Sequence, residues 1–426
     1  MRIAVVGAGI AGLGTAWLLQ RSGHDVALFE AGARPGGHTA TVDVTLEGHR
    51  FAVDTGFLVY NERTYPRFTA LLRELDVATV ASDMSFACRI DSAGVEWAGT
   101  NARTLFAQPS NALRPAFWGM LADIVRFNRE ATALTADMHN ERDPALGEYL
   151  AANRYGKAFR EWYLLPMAAA IWSSPKRDIL DFPVQTFARF CRNHGLLSIT
   201  DRPQWRTIAG GARTYVERIV ADLPDVRCAT PVSRVMRRAD HVLVDTAGRP
   251  GERFDEVVLA CHSDQARAIL VDRSPAEDRL LGDVRYQANR VVLHTDPSLL
   301  PRRRAAWSAW NYLASEAGDD APVAVSYLIN RLQPLPCRAP VIVTLNPPFE
   351  PAPEHVLQSF EYHHPLLDSR AVAAQRGMAA LQGLHRVWFA GAWLGYGFHE
   401  DGLASAHAVA DAIGRAERMQ PEAIAA

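Results

Sequence analysis

The sequence has almost no lysine. Lys157 and Lys176 are the only two among 45 basic residues, so lysine is removed from nearly every candidate catalytic role. No run of eighteen apolar residues occurs, and we therefore expect no transmembrane helix. The five cysteines lack CxxC or metal-ligand spacing, which predicts buried thiols in a reducing cytoplasm and no metal site. A net charge of -2 gives no reason to expect a nucleic-acid partner.

The first thirty residues carry the clearest pattern. Residues 2–6 and 26–29 are apolar, β-branched runs typical of buried strands, and the second run ends in Glu30. A helix-like segment between them opens with GxGxxG, which predicts a βαβ dinucleotide unit with the pyrophosphate at the helix N-terminus. Glu30 is then placed to accept hydrogen bonds from the adenosine ribose. A turn without a ligand is the alternative. The predicted contacts are Gly7, Gly9, Ile10, Ala11, Gly12, Glu30 and Ala31.

A glycine doublet, Gly36 and Gly37, follows the ribose acid, and Gly56 occurs after two further strand-like segments. Glycine is needed where the main chain passes directly against phosphates or a flat ligand. The strands are expected at residues 39–46 and 50–53. This region therefore predicts further cofactor contacts at Gly36, Gly37, His38, Thr55, Gly56 and Phe57.

These residues resemble the flavin amine oxidase and phytoene desaturase superfamily, which carries GxGxxG, a ribose glutamate, an RxGGR-type doublet and a D-x-G segment in this order. The resemblance implies FAD. The position after the doublet, commonly arginine in that family, is His38. We expect His38 to hydrogen-bond a phosphate or to lie near the flavin, and a loop histidine with ordinary partners is the alternative.

The nucleotide pattern is interrupted along the chain. It returns near residue 204, where the resemblance implies an adenine contact by the backbone at Val232, and again near residue 380. Strand-like runs between residues 290 and 362 predict an antiparallel sheet. We therefore predict an α/β fold with two domains. One is a Rossmann-like FAD-binding domain of the amine-oxidase type, formed by residues 1–58, 204–270 and 380–426. The other is an interleaved α+β substrate domain, formed by residues 59–203 and 271–379.

The last motif is a strand, FAG, and an acid–glycine pair before a long helix that is expected to end near residue 415. The resemblance implies that this helix N-terminus faces the flavin N1–C2=O edge. Trp393 stands about where the family has an acid. Because no cysteine lies in the segment, we expect noncovalent FAD. The predicted contacts are Gly391 and the amides of Asp401, Gly402 and Leu403.

Three residues near this motif are candidates for acid–base chemistry: Tyr396, His399 and Glu400. Histidine titrates near neutral pH, and burial would raise the pKa of a glutamate. A supporting or helix-capping role is the alternative for each. Several amine oxidases of the resembled family carry a lysine on the first strand of the antiparallel sheet. Residues 289–294 contain none, which disfavours amine oxidation.

Segments such as GGHTATV and WFAGAWLGYGFHEDGL resemble a bacterial branch of predicted FAD proteins associated with cyclopropane-fatty-acid-type lipid methylation. This resemblance implies an FAD-dependent desaturase or dehydrogenase of an unsaturated or methyl-branched acyl chain, and hence an apolar or lipid substrate. The alternatives are a redox-neutral double-bond isomerase, an amine oxidase and a noncatalytic flavoprotein partner of a lipid methyltransferase.

An apolar stripe with interleaved arginines runs through residues 112–138, where one or two long helices are expected. The stripe favours packing in the core, with a position on the membrane surface or the lining of a lipid tunnel as the alternatives. The expected location is cytoplasmic, with the inner face of the membrane as the second choice. The oligomeric state stays open.

Overall fold

The computed structural model describes residues 1–135, 143–198, 202–314 and 322–419. The strands are β1 (Arg2–Val6), β2 (Asp25–Phe29), β3 (Thr41–Leu46), β4 (His49–Asp54), β5 (Tyr60–Asn61), β6 (Thr79–Ala81), β7 (Phe86–Ile90), β8 (Val95–Ala98), β9 (Trp205–Ile208), β10 (Asp225–Arg227), β11 (Val232–Arg237), β12 (Val242–Thr246), β13 (Arg249–Phe254), β14 (Glu256–Leu259), β15 (Arg285–His294), β16 (Trp310–Leu313), β17 (Ala324–Leu328), β18 (Ile342–Leu345), β19 (Val356–Leu366) and β20 (Val387–Phe389).

The helices are α1 (Ile10–Arg21), α2 (Pro66–Glu74), α3 (Ala102–Leu105), α4 (Pro115–Leu134), α5 (Leu146–Ala152), α6 (Lys157–Phe159), α7 (Leu165–Trp172), α8 (Lys176–Leu180), α9 (Val184–Asn193), α10 (Arg213–Ala221), α11 (Ser263–Ile269), α12 (Pro275–Gly282), α13 (Ile329–Leu332), α14 (Ser369–Met378) and α15 (His399–Met419). A π-helical turn, Arg160–Leu164, joins α6 to α7.

A five-stranded parallel sheet in the order β10-β2-β1-β14-β20 forms the centre of one half of the molecule. Its central strand is buried on both faces: Ile3 and Val5 pack into one core with residues of α1, α10 and α15, and Ala4 and Val6 pack into another with residues of β12, α11 and α14. This arrangement explains why the strand is apolar at consecutive positions. The Rossmann-like prediction is confirmed.

Glycine is required in the first turn of α1, which packs against the loop that follows β1. A Cβ on Gly12 would lie 1.7 Å from the carbonyl oxygen of Gly7, so only glycine lets the helix pack this close to the preceding turn. A Cβ on Gly402 would likewise lie 2.8 Å from Cγ2 of Ile10. These contacts bring the start of α15 against the start of α1.

A seven-stranded sheet in the order β19-β15-β18-β17-β16-β7-β8 forms the other half. Its neighbouring strands pair antiparallel except for β16 and β7, which pair parallel, so the predicted antiparallel sheet is present. Phe117, Met120 and Phe127 of α4 are buried in the hydrophobic core beside this sheet. The strands of the two sheets come from different segments of the chain. The exact domain boundaries remain a prediction.

The structure differs from the expected long helix at residues 112–138. A 3₁₀ turn (Pro109–Leu113) precedes α4, and Arg114 is extended because the residue before a proline is pushed out of the helical region. Residues 136–138 of this prediction lie outside the described residues. Across the described ranges, no helix is both long enough and apolar enough to cross a lipid bilayer.

Candidate functional site

One cavity of about 700 Å³ runs from the carboxyl edge of the parallel sheet to the seven-stranded sheet. It brings together residues from both ends and the middle of the chain. Fourteen of the predicted cofactor-binding residues line it: Gly7, Gly9, Ile10, Ala11, Glu30, Ala31, Gly36, Gly37, His38, Thr55, Gly56, Phe57, Val232 and Gly391. Gly12, Glu400, Asp401, Gly402 and Leu403 are not among its lining residues.

At the nucleotide end, the two glycine-rich loops lie against each other. A Cβ on Gly37 would be 3.1 Å from Cα of Gly9, and the Gly36 N–H donates to the Ala8 carbonyl at 2.7 Å. The Glu30 carboxylate accepts from the Ala8 N–H at 2.8 Å and from the Gly32 N–H at 2.7 Å. These bonds fix the carboxylate at the end of β2 and leave it lone pairs for a ribose hydroxyl.

The residues fit a flavin nucleotide. No atom lies within 4 Å of a Cβ placed on Gly9, so a ligand can approach this backbone directly. The Nε2 atom of His38 is buried without a hydrogen-bond partner in the described part of the chain. Because buried polar atoms are nearly always hydrogen-bonded, this nitrogen fits a contact with a polar group of a bound nucleotide.

His399 lines the cavity, but its surroundings hold it neutral. Its Nε2 atom lies 2.9 Å from Oγ1 of Thr39 and 3.1 Å from the hydroxyl of Tyr215, and its ring stacks on Phe57 with centroids 3.6 Å apart. Burial lowers the pKa of His399 to about 3. The expectation that His399 titrates near neutral pH is therefore wrong, because desolvation disfavours the imidazolium ion.

Glu400 lies outside the cavity at the N-terminus of α2. Its Oε1 accepts from the Arg67 N–H at 3.1 Å, and its Oε2 accepts from the Phe68 N–H at 3.0 Å. These are free N–H groups of a helix N-terminus, where a carboxylate is stabilising. The structure corrects the acid–base expectation for Glu400: the residue has the capping role that was its alternative.

The amides at residues 401–403 do not face the cavity. The helix begins at His399, so the Gly402 N–H already donates to the Phe398 carbonyl at 3.1 Å. The Asp401 carboxylate accepts from the Phe398 N–H at 2.9 Å, and burial raises its pKa to about 6. The cavity is lined instead by residues 391–393 and 396–399.

Tyr396 is the remaining one of the three predicted acid–base residues. It lines the cavity, and its ring centroid lies 5.5 Å from that of Phe190. Burial raises the pKa of Tyr396 above its ordinary value, so the hydroxyl is neutral and available as a hydrogen-bond donor.

Beyond the nucleotide end, the cavity is apolar. Its lining residues there come mainly from α7, α9 and the seven-stranded sheet, which are distant from one another in sequence. Among the described residues that line the whole cavity, Glu30 is the single carboxylate, and arginine and lysine are absent. This apolar half includes Met84, Ile171, Trp172, Phe190, Leu196, Trp205, Val291, Trp310, Tyr327, Val343 and Leu345.

His194 also lines the apolar half, and the sequence reasoning did not identify it. Its Nδ1 atom lies 3.0 Å from the Phe190 carbonyl, and its ring stacks on Phe190 with centroids 4.0 Å apart. A carbonyl can only accept, so we assign the proton to Nδ1 and a free lone pair to Nε2. Burial lowers the pKa of His194 to about 4, and the ring is therefore neutral near pH 7.

Comparison with known proteins settles the family. The family model for flavin-containing amine oxidoreductases matches residues 10–296. The chain belongs to this family. The resemblance to the flavin amine oxidase and phytoene desaturase superfamily is confirmed.

The chain is similar to the carotenoid phi-ring synthase of Streptomyces griseus, with 27% identity over 321 residues. That match covers 71% of this chain but only 59% of the relative. Two solved structures share the fold. Cyclohexylamine oxidase from Brevibacterium oxydans IH-35A has a TM-score of 0.70 at 16% identity, covering 97% of this chain and 99% of its own. The CLA-producing fatty acid isomerase from P. acnes has a TM-score of 0.68 at 16% identity, covering 97% and 98%.

Proposed function

We propose that this member of the family is an FAD-dependent oxidoreductase, a desaturase or dehydrogenase that acts on an unsaturated or methyl-branched fatty acyl chain. The observation that carries the proposal is the apolar half of the cavity. Its described lining offers hydrocarbon and aromatic surface without a carboxylate, arginine or lysine. A cationic amine would lose its hydration there without gaining a charged partner, whereas an alkyl chain gains from burial.

The cofactor in this proposal is noncovalent FAD. Glu30 would hold the ribose, and the backbone at Gly9, Gly36 and Gly37 would approach the diphosphate. Cys261 lies in the same cavity, but burial raises the pKa of its thiol to about 12. Since the thiolate is the reactive form, this cysteine is poorly suited to a covalent link.

Bound FAD would supply a hydride acceptor, and an external acceptor such as dioxygen or a quinone would take the two electrons. Desaturation breaks two C–H bonds: one carbon gives up the hydride and its neighbour gives up a proton. The protein must take that proton. Nε2 of His194 is the neutral base that we assign to this step, and Tyr396 is a hydroxyl donor that orients the chain.

The test is anaerobic mixing of the purified holoprotein with unsaturated and methyl-branched phospholipids. We expect loss of the oxidised flavin absorbance together with a product two mass units lighter. His194→Phe preserves ring stacking on Phe190 but removes the base, so it should slow flavin reduction and leave FAD bound. An unbleached flavin and unchanged lipids, with every substrate offered, would contradict the proposal and favour a noncatalytic flavoprotein.

Redox-neutral isomerisation of a double bond is a second candidate. If a hydride leaves an allylic carbon and returns to the other end of the same allylic unit, no proton is released and no base is needed. The lack of a carboxylate or lysine in the described apolar half favours this reaction. A product of unchanged mass, formed equally fast by His194→Phe, would identify an isomerase. A lighter product that depends on His194 would identify a desaturase.

We further propose that α4 rests on the surface of an anionic bilayer, on the inner face of the membrane. On α4, Trp118 and Val125 are 52% and 59% exposed and Arg129 is exposed, and Leu113 in the preceding 3₁₀ turn is 85% exposed. Apolar side chains with a tryptophan and a basic residue are typical of interfacial helices. Trp118→Ser should reduce co-sedimentation with anionic vesicles, and Val271→Ser, at another exposed apolar residue, should not. Equal loss in both variants would contradict the assignment.

A further inference from the structure

Three histidines converge beside the glycine-rich loops at the nucleotide end of the cavity. His38 follows Gly37, His262 follows β14, and His364 lies on β19. The ring centroid of His38 is 5.2 Å from that of His364 and 6.2 Å from that of His262. We call these three residues the histidine cluster. Each of them lines the cavity, so the cluster faces the space that a nucleotide would enter.

Two members of the cluster present a ring nitrogen that is free to bind. Nε2 of His38 is buried and has no partner in the described structure. In His364, Nδ1 accepts from the Asn289 amide at 3.3 Å, and that amide is oriented because Asn346 donates to Asn289 Oδ1 at 2.8 Å. With Nδ1 as acceptor, the neutral His364 ring carries its proton on Nε2, which is a hydrogen-bond donor.

The third member, His262, is held in place by stacking. Its ring lies on that of Tyr286 with centroids 4.3 Å apart and planes 10° apart. The Tyr286 hydroxyl accepts from the Ser263 N–H at 2.9 Å, which ties the tyrosine to the segment that carries His262. The cluster is therefore built from rings whose positions are fixed by their own neighbours.

The glycine-rich loop that carries His38 also contains one arginine, Arg34, and its guanidinium is hydrogen-bonded to carbonyls of that loop. Arg34 donates from Nη1 to the Thr39 carbonyl at 2.9 Å and from Nη2 to the Gly37 carbonyl at 3.3 Å. It supports the loop from outside and does not line the cavity. A diphosphate carries two negative charges, and the open backbone at Gly9 can compensate only part of them. The remaining groups in the described lining that can become cationic are histidine side chains, and those of the cluster lie beside the glycine-rich loops.

We infer that the histidine cluster binds the diphosphate of FAD in place of the arginine common at the position of His38, and that it takes up a proton as FAD binds. This inference rests on the proposed FAD-dependent function. In the neutral His364 ring, Nε2 is already a donor. The His38 ring bonds the His363 backbone, so its free Nε2 becomes a donor when His38 takes up the proton, and that proton also provides the charge.

Without an anion the cluster is neutral. Burial lowers the pKa of His38 and His262 and lowers that of His364 to about 4, and repulsion from neighbouring histidines, which include His363, lowers each of these pKa values further. A nearby anion raises the pKa of a histidine, so binding is coupled to proton uptake and strengthens as the pH falls. The other titratable or charged groups that line the cavity beside the cluster, act on its charge or stand near it in sequence are Glu30, Arg34, Cys261, Asp264, Tyr286, Glu361, Tyr362, His363 and His399.

The test is a titration of FAD into protein from which FAD has been removed, at pH values from 6 to 8.5. Binding is followed by fluorescence quenching and by calorimetry in two buffers of different ionisation enthalpy. If one proton is taken up, Kd should fall about tenfold for each unit that the pH is lowered. Calorimetry should then report uptake of about one proton per FAD. A Kd that does not change with pH overturns the inference.

Variants separate the cluster from other buried histidines. His38→Arg supplies a permanent cation, so we expect tight FAD binding with little pH dependence. His364→Gln should weaken binding several-fold at pH 6.5 and less at pH 8.5. The control is His294→Gln: His294 is buried, with its pKa lowered to about 4, but it bonds Thr344 outside the cavity.

The control variant, His294→Gln, should show the same pH dependence of the Kd for FAD as the wild type. If His38→Arg also shows the wild-type pH dependence, the inference is overturned. Wild-type protein that binds no FAD at any pH would overturn the proposed FAD-dependent function. Binding that is pH-independent would overturn only the role of the histidine cluster.

Discussion

The imidazole of His399 lies parallel to the ring of Phe57, with centroids 3.6 Å apart and an angle of 14° between the planes. This contact joins the first residue of α15 to the D-x-G segment, more than 300 residues earlier in the chain. Both residues line the cavity, so the stack forms part of the wall between the two halves of the molecule. The neutral state of His399 follows from this burial and has a measurable consequence.

We predict that His399 makes the protein less stable in acid. The folded state holds its pKa near 3, and the unfolded chain has the ordinary value of 6.5. The unfolded state therefore binds more protons as the pH falls below 6.5, and stability is lost from there downward. At pH 5 this amounts to about 2 kcal/mol. Urea denaturation at pH 7 and pH 5 should show a smaller decline for His399→Gln than for wild type. An identical decline would contradict the assignment.

Glu400 should contribute to stability and not to chemistry. Glu400→Ala removes both acceptors at the N-terminus of α2, and we expect it to lower the free energy of unfolding by about 1–2 kcal/mol. Glu400→Gln keeps one acceptor oxygen and should lose less. The rate of flavin reduction by substrate should stay within about twofold of wild type in both variants. A large fall in that rate, with FAD still bound, would return Glu400 to the catalytic candidates.

The contrast between His399 and Glu400 shows where sequence reasoning reaches its limit. GxGxxG, Glu30 and the glycine doublet were predictable because each depends on neighbours close in the chain. The acid–glycine pair was expected to precede the helix, but α15 begins at His399 and includes Asp401 and Gly402. Because each residue turns a helix by about 100°, this earlier start places a different set of side chains and amides at the cavity. His194 and His364 could not be found, because their positions depend on packing and on β15–β19 pairing between distant segments.

The glycines at the nucleotide end make a separate prediction. A Cβ on Gly9 meets no protein atom, so Gly9→Val should leave the fold intact and yield colourless protein because the side chain occupies the ligand's space. Gly119→Val is a matched control, since a Cβ there also meets nothing within 4 Å and Gly119 is exposed on α4 and does not line the cavity. It should remain yellow. Retention of FAD by Gly9→Val, measured as absorbance after gel filtration, would contradict the cofactor placement.

A substitution at Ile171 tests whether the acyl chain binds in the apolar half of the cavity, without changing the residues at the nucleotide end. It lies on α7 and lines the cavity, so Ile171→Trp should shorten the space available to an alkyl chain without touching the glycine-rich loops. We expect the FAD content and Kd to be unchanged. We also expect KM to rise about tenfold or more for long acyl chains and less for short ones, because each methylene left unburied costs about 0.8 kcal/mol. Equal effects on all chain lengths would show that the acyl chain binds elsewhere.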